Sequence, residues 1–398
     1  MNTAQQSIEQ HEAGALSGLK VIELTQVLAG PYCGYQLAIL GADVIKIELP
    51  ASPDCSRGRG PIPELNSQGL GLTYQVQGGN KRSLALDIGT KEGKAILLQL
   101  ISDCDILVEN YRSGFMKLNG LGFGELSKVN PRLVYCSMTG YGDSGSRSSK
   151  GAYDNTIQAT SGIIDQCRGQ KPAVSFVDYA AGSSAAFAIL AAVIQRSRTG
   201  KGCYISTSML EVALTMMAPE AAAVLHAPEA EKAAEAGILS YDTRDGRIVL
   251  GAFKPSQYRK LGKCLKDHGY DIALLEAINN WEDVRANTET LKALLEPVFL
   301  DRDNSQWLTL LDKAEIPAEP IISLADAVKI SISDERQYFD RSAEDELMLP
   351  TAAFQMSSGG PELHTSPPSL GEDTATILSE LGFEDRIIKE YLKKGVVQ

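Results

Sequence analysis

The feature that most limits how this chain can fold is a regular alternation of short apolar runs with helical stretches between Lys20 and Ser137. Lys20-Val-Ile-Glu-Leu24 is rich in β formers. A helical stretch follows Pro31, Gly41 ends it, and Ala42-Asp-Val-Ile-Lys-Ile47 reads as the next strand. Strand, helix and strand within about thirty residues make a βαβ unit. The pattern recurs. Ser83–Leu86 is a strand, Thr90 caps a helix that runs to Ile101, and Asp105–Val108 and Leu133–Ser137 are further strands. Such a chain is an α/β protein with a mostly parallel sheet covered by helices.

Between these segments, Pro50 to Gly79 is rich in Gly, Pro and Ser and reads as one long loop, a kind that is usually functional. Leu214 to Ala236 is rich in Ala and Glu and reads as a helical connector. Ile248–Phe253 starts a strand that opens a smaller region, whose helices run through Trp307 to Lys313 and whose exit is marked by Pro317 and Pro320. Two short amphipathic helices follow Gly371. The stretch near Ala180 to Ile194 is apolar but interrupted by Gly182, Ser183 and Ser184, and reads as a buried helix, not a membrane span.

A net charge of −12 removes the basic excess that nucleic-acid binding needs, so no nucleic-acid or membrane partner is expected. An anionic ligand must be held by local cations. The seven cysteines are scattered without a CxxC pair, which argues for a reducing compartment and against zinc. Met1 to Gly18 is polar and lacks the basic start and apolar run of a signal peptide; it reads as a flexible tail on a cytoplasmic protein. His11, His226, His268 and His364 have no ligand-spaced partners, and GxSxG does not occur, so no metal and no serine nucleophile are expected.

Four places can carry chemistry. Val27-Leu-Ala-Gly-Pro31 is either plain turn chemistry or a turn whose N–H groups face an anion. Gly79-Asn-Lys-Arg-Ser83 is either a solvated basic turn or a phosphate clamp through Lys81 and Arg82. In Gly151-Ala-Tyr-Asp-Asn155, Asp154 either caps the helix it precedes or joins Tyr153 in a site. In Phe176-Val-Asp-Tyr-Ala-Ala-Gly182, Asp178 starts the Ala-rich helix. There the dipole and free N–H groups favour its anion, which suits either a cap or a carboxylate nucleophile.

Taken in order, several motifs resemble the family III CoA-transferases, a family that also contains formyl-CoA transferases, carnitine-related transferases and α-methylacyl-CoA racemases. They are Leu19–Leu24 with Leu28-Ala-Gly-Pro31, Leu40–Glu48, Asn80–Ser83, Val108-Glu-Asn-Tyr-Arg112, Asn130–Leu133, Ser137–Gly142, Thr199–Gly202, Leu370–Thr374 and Ile377–Gly382. The resemblance covers nearly all of the chain from Gly18. It implies a Rossmann-like large domain made from residues 19–213 and 333–398, a helical connector at 214–235, and a smaller α+β domain at 236–332. It also implies an interlocked homodimer acting on acyl-CoA and carboxylate substrates. By the same resemblance Asp178 is the catalytic aspartate, with Tyr153 and Asp154 beside it. Val27, Leu28 and Ala29 line the CoA thiol arm, Lys81 and Arg82 serve CoA phosphate, and Asn110, Tyr111 and Met209 flank the CoA path. The chain departs from the pattern at Leu28, where some transferases have glutamine, and at Leu49 and Leu118, where arginines are frequent.

The racemases place a histidine base directly before the Asp154 position, where this chain has Tyr153. A phenol with a pKa of about 10 is a poor general base near neutrality. Val249–Tyr258 resembles the racemase-like branch, but the missing base bears directly on the chemistry. The expectation is therefore a CoA-transferase working through an aspartyl anhydride and an aspartyl-CoA thioester. A racemase and a subunit of a heteromeric transferase are the alternatives.

Overall fold

The computed structural model describes residues 13–227, 235–333, 335–336, 338–341 and 347–398. Most of the expected N-terminal tail, and residues 228–234 of the expected connector, lie outside the described residues. The chain forms two compact units, Met1–Ala222 with Glu335–Gln398, and Ala223–Asp334.

The first unit is built on a six-stranded sheet. Its strands are β1 (Lys20–Leu24), β2 (Asp43–Glu48), β3 (Lys81–Ala85), β4 (Ile106–Glu109), β5 (Val134–Thr139) and β6 (Tyr204–Ser208). Every pairing is parallel, and the order is β3-β2-β1-β4-β5-β6. The reason is legible in β1. Val21 packs into one core with the helices Ala29–Ala38 and Phe176–Thr199, whereas Ile22 and Leu24 pack into another with the helix Lys91–Asp103 and the C-terminal helices. A strand buried on both faces belongs in a parallel sheet. Thr90 caps Lys91–Asp103 as expected, its Oγ1 accepting from Gly93 N–H at 2.9 Å.

Glu23, in the middle of β1, lies opposite Lys46 of β2. Its carboxylate meets Lys46 Nζ at 3.1 Å and Lys81 Nζ at 2.7 Å, all three being fully buried. Buried charges persist only when paired in this way.

Pro50 to Gly79 is not an open loop. It holds a 3-10 turn at Cys55–Gly58 and short helices at Pro63–Ser67 and Leu72–Gln75. Polar side chains organise it: Asp54 accepts from Ser56 N–H at 2.9 Å, and the Arg57 guanidinium grips Glu48 at 2.6 and 2.9 Å. The helix Phe176–Thr199 is long and apolar enough to cross a membrane. It is buried along one face only, through Val177, Asp178, Ala181, Gly182, Ala185 and Ile189, with Phe187 and Ile194 exposed on the other.

The second unit has an antiparallel sheet of β7 (Ser240–Asp242), β8 (Arg247–Leu250) and β9 (Ala318–Pro320). Its helices close over Tyr241, Tyr258, Phe299 and Trp307. Pro320, expected at an exit, ends β9, an edge strand, where its missing N–H costs no ladder bond.

Candidate active site

In open parallel sheets ligands bind beyond the carboxyl ends of the strands, where the strand order reverses. Here that point lies between β1 and β4. A cleft of about 580 Å³ opens there. Its walls come from Gln26–Ala29 after β1, Asn110–Ser113 after β4, Met138–Gly140 at the end of β5, and Lys150–Tyr153, and Asp178 and Met209 complete it. Of the residues singled out in the sequence, the fold gathers Val27, Leu28, Ala29, Asn110, Tyr111, Tyr153, Asp178 and Met209 on one cavity.

Three of them are held by identifiable contacts. Asn110 staples the two central loops, accepting from Gln26 N–H at 2.9 Å and donating to Gln26 C=O at 2.8 Å. Tyr111 lies against Phe115, ring centroids 4.6 Å apart. Tyr153 precedes the helix Asp154–Thr160; its N–H donates to Thr156 Oγ1 at 3.0 Å, and that hydroxyl donates to its carbonyl at 2.8 Å.

Asp154 does not line the cleft. It is buried, and one oxygen accepts from the backbone N–H groups of Val177 at 2.9 Å and Asp178 at 3.1 Å. Those are the second and third amides of the helix Phe176–Thr199, whose own N-cap residue, Ser175, makes no side-chain cap. Asp154 thus caps a helix some twenty residues further on, not the helix it begins. Gln158 Nε2 donates to its other oxygen.

Asp178 is the third residue of that helix and is 8% exposed. Burial, reinforced by the Asp154 carboxylate, pushes it up from 3.8 to about 7. The helix N-terminus therefore does not set the balance in favour of the anion, as the sequence argument had it: desolvation and a like charge outweigh the dipole. The result is a carboxylate partly ionised at neutral pH and more basic than an ordinary one, which suits a nucleophile.

Lys81 and Arg82 are not brought to the cleft. Both lie in β3. Lys81 is bound to Glu23 and donates to Pro31 C=O at 2.8 Å. Arg82 pairs with Asp43 and Glu380, each at 2.7 Å. The cations that do line the cleft are Arg112 and Lys150. Arg112 ends a motif already noted in the sequence, but nothing in the sequence marks Lys150. Thr139 Oγ1 is buried on the cleft lining and has no hydrogen-bond partner among the described residues. Beneath the Asn110 loop, burial raises Glu109 to about 7, and its carboxylate accepts from Tyr111 N–H at 2.9 Å. Glu109 lies in the same Val108–Arg112 motif, but its raised proton affinity comes from burial that the local sequence does not reveal.

The family model for CoA-transferase family III matches residues 16–374. The chain belongs to this family. The transferase is 33% identical to the mouse succinyl-CoA:glutarate CoA-transferase, over 96% of this chain and 90% of that one. It is 28% identical to the human alpha-methylacyl-CoA racemase, over 96% and 98% of the two chains. Among solved structures it is similar to a CaiB/BaiF family protein from Brucella suis, with a TM-score of 0.78 and 29% identity, covering 93% of this chain and all of that one. Acyl-CoA and carboxylate substrates fit this family.

Proposed function

We propose that this transferase moves CoA from an acyl-CoA donor to a carboxylic acid through covalent intermediates on Asp178. The observation that carries the reading is the buried, part-ionised Asp178 carboxylate on the wall of the cleft. Asp178 attacks the thioester carbonyl, the C–S bond breaks, and CoA leaves as its thiolate with a mixed anhydride formed. The thiolate then attacks the aspartyl carbonyl. The donor acid departs as carboxylate, and an aspartyl-CoA thioester remains. The acceptor carboxylate attacks that thioester to give a second anhydride, and the released thiolate takes the acceptor acyl group, restoring Asp178. The helix Ala29–Ala38 begins at the cleft without a side-chain cap, so its first N–H groups suit the oxyanions. Arg112 and Lys150 suit the anionic groups of CoA or of a dicarboxylic acid such as the mouse relative's name describes. Leu28 on the cleft wall favours an acyl group less polar than oxalate.

A racemase reading draws on the human relative, but Tyr153 occupies the place of the second base, and a phenol serves poorly there. The test is mass spectrometry after incubation with a panel of acyl-CoA donors, trapping with hydroxylamine or borohydride. Modification of the peptide carrying Asp178 is expected with at least one donor. No adduct from any donor, together with deuterium exchange at the α-carbon of a 2-methylacyl-CoA, would establish the racemase instead.

We also propose a homodimer, placed in the cytoplasm, where seven free cysteines would stay reduced. Large apolar side chains stand exposed in each unit, Phe187 (75%) and Ile194 (61%) in the first, Leu324 (80%) and Ile330 (61%) in the second. Soluble monomers rarely leave extended apolar faces uncovered. Light scattering at micromolar concentration should give twice the chain mass of 42.8 kDa; a mass of one chain would refute the dimer.

A further inference from the structure

The wall of the cleft between β1 and the helix Ala29–Ala38 contains a strained residue. Val27 has φ of +71°, a left-handed conformation that a β-branched side chain strongly disfavours. Such strain persists only where the surroundings over-determine it. Both peptide groups of Val27 are gripped from the Pro50–Gly79 segment. Its N–H donates to the two carboxylate oxygens of Asp54 at 3.1 and 3.2 Å. Its carbonyl accepts from Gln77 Nε2.

Neither gripping side chain is free to yield. Asp54 is buried against Lys46 Nζ at 3.2 Å, and its own N–H donates to Glu48 at 3.1 Å. Burial pushes the Asp54 carboxyl up, but Lys46 and the backbone N–H groups of Ser56 and Val27 outweigh it and hold it below the usual range. Lys46 also donates to Thr25 C=O at 2.8 Å, fixing the start of the same loop. Gln77 is 1% exposed, and its Nε2 is shared with Thr73 C=O at 3.3 Å. In a trans peptide the N–H points opposite to the carbonyl. With the Val27 carbonyl turned to Gln77, the Leu28 N–H is turned the other way.

We infer that Asp54 and Gln77 are positioning residues that clamp Val27 in its left-handed conformation and so fix the Gln26–Ala29 wall against which Asp178 reacts. The inference rests on the transferase reading for its activity readout. Without the clamp, Val27 relaxes to negative φ, and the wall moves with its peptide groups. A displacement of about 1 Å at a reacting centre costs on the order of a hundredfold in rate.

The experiment uses the full-length protein and four variants. Gln77→Leu should lower kcat by about ten- to a hundredfold with a smaller change in KM for the acyl-CoA. Adding Val27→Gly should recover much of that loss, because glycine holds the left-handed conformation unaided. A double variant no more active than Gln77→Leu alone, or a Gln77→Leu protein with full kcat, would overturn the positioning role. Thermal unfolding gives a readout that needs no catalysis. Val27→Gly should melt above Val27→Ala, the reverse of the order at an ordinary position. Val27→Ala melting higher would overturn the clamp even if Gln77→Leu failed to fold. A wild-type protein inactive with every donor would instead overturn the transferase reading, and the positioning role with it, while leaving the melting order to report on the clamp.

Discussion

Asp178→Asn should abolish CoA transfer and at the same time stabilise the protein. Transfer falls because the amide cannot form the anhydride; removing a lone nucleophile costs at least about a thousandfold. Stability rises for a separate reason. Burial and Asp154 raise Asp178 from 3.8 to about 7 in the folded protein. Between those values the unfolded chain has released the proton that the folded chain still binds. The carboxyl therefore subtracts more stability as pH climbs from about 4 to 7, and the full amount above that. Removing the ionisable group should gain about 2 kcal/mol at pH 8 and little at pH 4. Thermal melts of both proteins at the two pH values read this directly. The same titration sets the activity profile: kcat/KM of the wild-type enzyme should rise through about pH 7 as the nucleophile ionises. An Asn variant that is no more stable at pH 8 than at pH 4, relative to wild type, would show that Asp178 is an ordinary carboxylate.

Gly182→Ala should damage the helix that carries Asp178 with a single added methyl. Gly182 sits one turn after Asp178 on the same face of its helix. A Cβ there would lie 2.6 Å from Ala29 C=O and 2.9 Å from the Tyr32 ring. The first contact is with backbone, so the two helices must part. Alanine improves helix propensity by about 1 kcal/mol, but the overpacking costs about 1–3 kcal/mol, and the net change should be destabilising. Activity should suffer more than stability. Ala29 lines the cleft and Asp178 rides on the displaced helix, so a shift of about 1 Å should cost on the order of a hundredfold in kcat. Chemical denaturation and steady-state kinetics test the two parts separately. A stable variant with full activity would mean that the helix contact does not set the position of Asp178.

Strands β1, β2, β4 and β5 were legible because their apolar runs need burial on both faces, and the Thr90 cap and the start of the Ala-rich helix around Asp178 were legible from local pattern. What escaped the sequence was decided by contacts between distant segments. Asp154 looks like a cap for the helix that follows it. Only the fold shows its carboxylate on the amides of Val177 and Asp178. Lys81, after two glycines and an asparagine, looks solvated; sheet register buries it against Glu23. Pro50–Gly79 looks like open loop because its order comes from side chains such as Asp54 and Arg57, not from apolar periodicity. The proton affinity of Asp178 is hidden from the sequence for the same reason: the helix terminus is local, whereas the desolvation and the second carboxylate come from elsewhere in the chain.

Strand β3 carries a further implication for how the molecule comes into being on the ribosome. Its outer side is completed by the last residues of the chain. Asp373 and Thr374 accept from Ser83 and Ala85 N–H at 2.8 and 3.2 Å, and Val397 bridges Leu86. Ile377, Leu378, Ile388 and Val396 fill the same core as Ile96 and Leu97. At about 5–20 residues per second, synthesis takes about 8–33 s to pass from the end of the first segment of this unit to its last helix. For that interval the nascent sheet has an unfinished margin and an uncovered apolar flank, the kind of surface that invites aggregation until the C-terminal helices have emerged.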